Sequence, residues 1–294
     1  MTPTLVRQHL PHAGPTSRVD PCSRARDWAE IQERMLVPLY EAVYERLEVG
    51  HSTNLLGLGC GSGLALLMAA SRGATVTGVD SCTPERLALA RERLLPEAWG
   101  TRARAGLRDV RLVDGTPEDA ADGADAADAE TPTYNLVTAF EPIGCMAGDS
   151  EGLGELLEAA TPLAARGTPV VLVGWGPPER CTTSSVLRVA TKLADPLRST
   201  GSWRPARRDD LEEVAQRAGL RPDGSGRVAC PFGYADMDNA VRGLLSTGLF
   251  DAAAAATDQA QVDKELTEAL HPHQRHDGTV WMPNVFRYLI ARTP

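Results

Sequence analysis

Apolar and polar positions along the chain alternate between two periods. Asn54 to Leu58 is an apolar run that stops in glycines at Gly59, Gly61 and Gly63, and Leu64 to Ala70 then reads as a helix. Ala74 to Val79 is a second apolar strand, followed by a helix over Thr83 to Leu95 with Thr83 as N-cap, Pro84 in the first position and Glu85 in the first turn. Strands follow at Asp109 to Val113, Tyr134 to Phe140 and Pro169 to Gly174, with a helix over Leu153 to Ala164 before the last of these. Short apolar strands alternating with helices indicate an α/β unit with a parallel sheet. Upstream, Trp28, Ile31, Met35, Leu39, Val43 and Leu47 recur at spacings of three and four, which predicts one amphipathic helix over Asp27 to Leu47, bordered by Tyr40 and Tyr44. Downstream, the pattern predicts helices over Ser184 to Leu193 and Arg208 to Ala218, the latter with Gly219 at C′. A short strand at Arg227 to Pro231, helices over Asp236 to Leu245 and Ala252 to Leu270, and a closing strand at Val285 to Ala291 complete it. Residues 1–25, with Pro3, Pro11, Gly14, Pro15 and Pro21, read as an irregular tail.

The glycines give the first strand a chemistry. Without a Cβ the backbone turns sharply and approaches a ligand closely, and the following helix start offers unpaired N–H groups. A βα turn with no ligand would look the same over these nine residues. Asp80, however, ends the second strand 21 residues beyond Gly59, the interval at which a carboxylate meets ribose hydroxyls. A dinucleotide fingerprint needs a third glycine or alanine where Leu64 or Ser62 stands, and no G-x-x-x-x-G-K-[ST] occurs.

With Gly59-x-Gly61-x-Gly63, Asp80, Asp114-Gly115-Thr116 after the third strand and Tyr134 to Phe140 as the fourth, the chain resembles class I S-adenosylmethionine-dependent methyltransferases. The resemblance covers residues 26–175, and Asn284 to Ala291 is similar to the closing strand of that family. It implies an α/β fold: a Rossmann-like, doubly wound, mostly parallel seven-stranded sheet with an antiparallel closing strand, plus helical cap elements. Residues 26–175 become the cofactor-binding core with an N-terminal cap helix. Residues 176–294 become a substrate-cap insertion and the closing strands of the same domain. The cofactor implied is S-adenosyl-L-methionine, held by Gly59, Cys60, Gly61, Gly63, Asp80, Ser81, Asp114, Gly115, Thr116 and Phe140, with Asp80 accepting both ribose hydroxyls. One position departs from the family. An acid that usually stands two residues before the first glycine, where it helps organise the methionine end, is Gly57 here.

Composition narrows the partners. Of 294 residues, 43% are hydrophobic, and 30 basic against 39 acidic residues give a net charge of −9 with no basic run. A nucleic-acid backbone and an anionic membrane surface are therefore excluded as expected partners. The six cysteines form no C-x-x-C, no apolar run approaches a membrane span, and Met1 to Pro21 lacks a signal-peptide core. The expectation is a cytoplasmic protein with a small-molecule substrate, monomeric or homodimeric, and no metal.

Methyl transfer is an in-line displacement in which the cofactor carries its own leaving group, so positioning matters more than a catalytic signature. The candidate base is Glu141, at the end of the fourth strand, which equally suits a cofactor contact or a helix cap. His271, His273 and His276, followed by Asp277, read as a solvated loop because Pro272 breaks their spacing, and His9, His12 and His51 read as non-catalytic. Glu118 to Glu130 reads as a solvated acidic insertion. Trp28, Tyr44, Trp175, Phe232, Tyr234 and Trp281 are expected to line a substrate pocket, which favours an apolar or aromatic acceptor. The alternative is a protein of the same fold that binds the cofactor but catalyses a cyclisation or rearrangement, or serves as a binding subunit.

Overall fold

The computed structural model describes residues 20–95, 110–122, 134–144, 150–194 and 210–294. His9, His12, Cys145, most of the acidic stretch after Asp122 and the Arg208 helix start lie outside the described residues.

A seven-stranded sheet forms the centre: β1 (Asn54–Leu58), β2 (Thr75–Asp80), β3 (Val110–Asp114), β4 (Leu136–Ile143), β5 (Pro169–Trp175), β6 (Arg221–Ala229) and β9 (Val285–Arg292), in the order β3-β2-β1-β4-β5-β9-β6. Only β9 runs antiparallel to its neighbours. Strands β1 and β5 are nearly continuous in apolar residues because parallel strands in the middle of a sheet are covered on both faces. On one face pack α2 (Val37–Arg46), α3 (Leu64–Ser71), α7 (Thr183–Ala194), α9 (Met237–Leu245), α10 (Asp251–Ala256) and α11 (Gln259–Leu270). On the other lie α5 (Pro117–Asp122), α6 (Leu153–Ala160) and α8 (Asp210–Arg217). A two-stranded ladder, β7 (Phe232–Tyr234) with β8 (Val280–Met282), borders the helical cap. Among the described residues no helix is long and apolar enough to cross a membrane.

Three expectations change. Strand β6 spans nine residues where only its end was expected, because Pro222, Gly224 and Gly226 read as turn. It is an edge strand, where proline is tolerated at a bulge, and the missing Cβ of Gly226 lets the Tyr288 ring lie across it. The helix expected over Ala252 to Leu270 is broken at Thr257–Asp258, with Asp258 capping α11.

The third concerns the N-terminus. Helix begins at α1 (Pro21–Asp27), capped by Asp20, within the tail expected to be irregular. The single α-helix expected over Asp27 to Leu47 is instead a wide π turn at Trp28–Gln32, a tight 3₁₀ turn at Glu33–Leu36 and then α2. Pro38 has no N–H for the Arg34 carbonyl, which accepts from Val37 instead and tightens the turn. The wide turn shifts the helical phase and carries Gln32 and Glu33 inward, where both are buried. Residues 20–36 thus form a strap rather than a straight helix.

Candidate cofactor site

The chain runs from β1 outward to β2 and β3, then crosses back to β4 on the other side of β1. That reversal opens a crevice at the strand ends. A cavity of about 170 Å³ lies there. This is below the roughly 300–1,000 Å³ of drug-sized ligand sites. It has room for part of such a ligand, and Ser81, Cys82 and Glu141 are exposed at its mouth.

Gly59 and Gly61 have φ of +59° and +54°, a region that disfavours side chains. A Cβ at Gly61 would meet Trp28 Nε1 at 3.7 Å and Glu33 Oε1 at 3.8 Å, and one at Gly59 would meet only Glu141 Oε2 at 3.9 Å. Both missing side chains would point into the cavity. Gly63 differs: its Cβ would lie 2.9 Å from that of Ala90 on α4 (Pro84–Leu94), so this glycine serves helix packing.

Asp80 is 7% exposed and accepts from four protein donors. Its Oδ1 takes the Cys82 N–H at 3.0 Å, the Thr83 N–H at 3.0 Å and the Thr83 hydroxyl at 3.1 Å, while Oδ2 takes the Gly61 N–H at 3.0 Å. It ties the glycine loop to the β2–α4 turn. What remains for a ligand is one acceptor position on Oδ2, room for one ribose hydroxyl rather than two. Asp80→Ala is expected to lower stability by about 2 kcal/mol besides weakening nucleoside binding, because hydrogen bonds to a charged acceptor are lost. Chemical denaturation without ligand checks this; unchanged stability would contradict the structural share of the role.

Of the expected cofactor residues, Gly59, Cys60, Gly61, Asp80, Ser81, Gly115 and Phe140 line the cavity, while Gly63, Asp114 and Thr116 do not. Thr116 is engaged with Asp119 through its N–H and hydroxyl at the start of α5. Glu141 lines the mouth. Burial and the neighbouring Asp80 carboxylate push the Cys60 thiol up to about 12. Iodoacetamide at pH 8 is therefore expected to label the exposed Cys22 and Cys82 but spare Cys60. Peptide mapping reads this directly, and fast labelling of Cys60 would show the loop to be open.

The six aromatic residues expected at a substrate pocket are spread over the fold. Trp28 alone of the six residues lines the cavity. Tyr44 is buried with its hydroxyl donating to the Ala65 carbonyl at 2.9 Å, and Trp175 and Phe232 pack on Phe286 at 4.6 and 6.0 Å between ring centroids. Tyr234 donates to Gln32 Oε1 at 2.9 Å. Trp281 lies 38% exposed on the small ladder beneath Arg275. Tyr44, Phe232 and Tyr234 belong to the hydrophobic cluster on one face of the sheet, and Trp175 packs against it.

Unexpected residues take their place. Leu36, Tyr40, Thr138, Pro142 and Leu156 line the cavity, as do Glu33 and Arg86. Glu33 is 3% exposed; its Oε2 accepts from Ser62 Oγ and from Arg93 Nη1 at 2.9 Å. Arg93 also donates to the Ser62 carbonyl at 2.8 Å. Arg86 lies 4.1 Å from the Trp28 ring centroid and donates to the Ser246 carbonyl at 2.8 Å. The lining thus holds three carboxylates, Glu33, Asp80 and Glu141, against one guanidinium, a balance that suits a cationic ligand. Among the described residues no group of three His, Cys, Asp or Glu side chains is placed to hold a metal ion.

No protein-family model and no curated protein matches the chain. Solved structures do. A proposed methyltransferase of Bacillus halodurans C-125 superposes with a TM-score of 0.50 at 15% identity, covering 87% of this chain and 98% of that one. The YcgJ protein of Bacillus subtilis gives 0.49 at 14% identity, covering 86% and 97%. A proposed sarcosine dimethylglycine methyltransferase of Galdieria sulphuraria gives 0.47 at 12% identity, covering 91% and 98%. The first likeness establishes the fold, a Rossmann-like methyltransferase fold with one antiparallel strand. At such identity it establishes nothing finer, and the other two add nothing to it.

Proposed function

We propose that the chain transfers a methyl group from S-adenosylmethionine to a small molecule. One observation carries the reading. A glycine loop whose absent side chains would fill the cavity, anchored by Asp80 at the switch point, faces a buried indole N–H that finds no acceptor among the described residues. When bound, the cofactor supplies a methyl group on a sulfonium leaving group. The protein's share is placement. Gly59 and Gly61 admit the ligand, Asp80 holds the loop, and Leu36, Tyr40, Phe140 and Leu156 exclude water from the inner wall. Glu141, at the mouth, accepts the proton of an O–H or N–H acceptor.

Incubation with methyl-labelled cofactor and a panel of phenols, amines and polyketide-like acceptors tests this. Label recovered on an acceptor supports the proposal. Tight cofactor binding without transfer to any acceptor would favour the alternative, a cofactor-bound protein with another chemistry. Absence of cofactor binding would sink both.

A further inference from the structure

We propose that the strap recognises a zwitterionic α-amino-acid head: the Trp28 indole N–H takes its carboxylate and Glu33 Oε1 takes its ammonium. This rests on the cofactor reading above and adds which residues of this chain grip the amino-acid end, and that gripping it docks the strap.

Trp28 Nε1 is buried and lacks a hydrogen-bond partner among the described residues. Buried donors are nearly always paired, so an orphan at a cavity wall calls for an acceptor from outside. The same point in space, the missing Cβ of Gly61, lies 3.7 Å from that donor and 3.8 Å from Glu33 Oε1. One oxygen of Glu33 is already held by Ser62 and Arg93, which aims the carboxylate. Stacked on the indole, the Arg86 guanidinium makes that side favourable to an anion. A donor beside a cation on one hand and a carboxylate on the other fit a head that carries both charges. The β1 strand supplies no acid here, because Gly57 stands at that position and a Cβ there would require Leu66 Cδ2, 2.9 Å away, to shift. The strap is held at its C-terminal half by buried bonds, Tyr234 to Gln32 and Ser62 and Arg93 to Glu33, and at its N-terminal half by the partly exposed pairs Arg24–Asp251 and Asp27–Arg242. A ligand bridging Trp28, Glu33 and the glycine loop would add to that hold.

S-adenosylhomocysteine and 5′-methylthioadenosine share nucleoside and thioether, and only the first carries the head. Calorimetry is run with both on the full chain, on Trp28→Phe and on Glu33→Gln. Each variant is expected to weaken S-adenosylhomocysteine about tenfold or more, the scale of hydrogen bonds to charged groups, and to change methylthioadenosine less than about twofold. S-adenosylhomocysteine, and not methylthioadenosine, should slow tryptic cleavage after Arg26. If Glu33→Gln unfolds, Trp28→Phe still decides, since Nε1 makes no bond among the described residues. Equal losses on both ligands, or none on either, overturn the assignment. A wild-type chain that binds both ligands equally overturns this inference and leaves the nucleoside site standing. One that binds neither overturns the cofactor reading and this inference with it.

Discussion

Gly61→Val is expected to weaken S-adenosylhomocysteine binding more than about a hundredfold, roughly 3 kcal/mol, while the protein stays folded. The backbone at Gly61 sits at φ +54°, so a β-branched residue strains it locally. The larger effect is on the ligand. The side chain would enter the space between Trp28 Nε1 and Glu33 Oε1, and it would disturb the N–H that Asp80 Oδ2 accepts. Gly63→Ala is the contrasting control. Its Cβ meets Ala90 at 2.9 Å and Leu94 at 3.0 Å, on the protein side of the loop, so it should cost stability and spare intrinsic affinity. Calorimetric titration and thermal melting of the two variants separate these outcomes. A folded Gly61→Val chain with wild-type affinity would remove the cofactor from the loop altogether.

The loop was legible in the sequence because its glycines and Asp80 act through the backbone, which a motif records directly. The parallel strands were legible for a similar reason: Leu55, Leu56 and Leu58 are buried on a strand flanked by β2 and β4. Glu33 was not legible. On a uniform helix of 3.6 residues per turn it stands off the apolar stripe of Trp28, Ile31 and Met35. Only the π turn, whose Glu33 N–H bonds the Trp28 carbonyl five residues back, rotates it into the cavity. Pro38, inside the expected helix, was the visible sign that the helical phase would not run through. The placement of the six aromatic rings was not legible for another reason. Composition locates aromatic rings on cap elements but does not say which side of a cap they face. Phe232 and Tyr234 face the core on one side of the sheet, and Trp175, at the end of β5, packs against the same core.

Gly57 is where this chain leaves the family it resembles, and its surroundings explain the residue. Gly57 pairs with Gly78 across β1 and β2, and Leu66 of α3 packs down on the pair. A Cβ at Gly57 would lie 2.9 Å from Leu66 Cδ2, and one at Gly78 would lie 2.5 Å from Leu66 Cδ1. The two glycines let α3 approach the sheet with the Leu66 methyls over both, and Gly57 and Leu66 also line the cavity. Gly57→Asp is therefore expected to destabilise the fold by about 4 kcal/mol. Overpacking accounts for roughly 1–3 kcal/mol, and burial of a carboxyl without partners for the rest. Gly57→Ala isolates the packing share, and Leu66→Ala in the Gly57→Asp background should recover part of it. Burial raises the introduced carboxyl's pKa above its unfolded value, so its destabilisation should deepen as pH rises from 4 to about 7. Denaturant titrations at the two pH values measure both shares. Cofactor affinity should not improve, because Glu33 already brings a carboxylate to the cavity and a second would repel it. Tighter cofactor binding in a stable Gly57→Asp chain would instead show that the amino-acid end lacks its acid, and that Glu33 does not provide it.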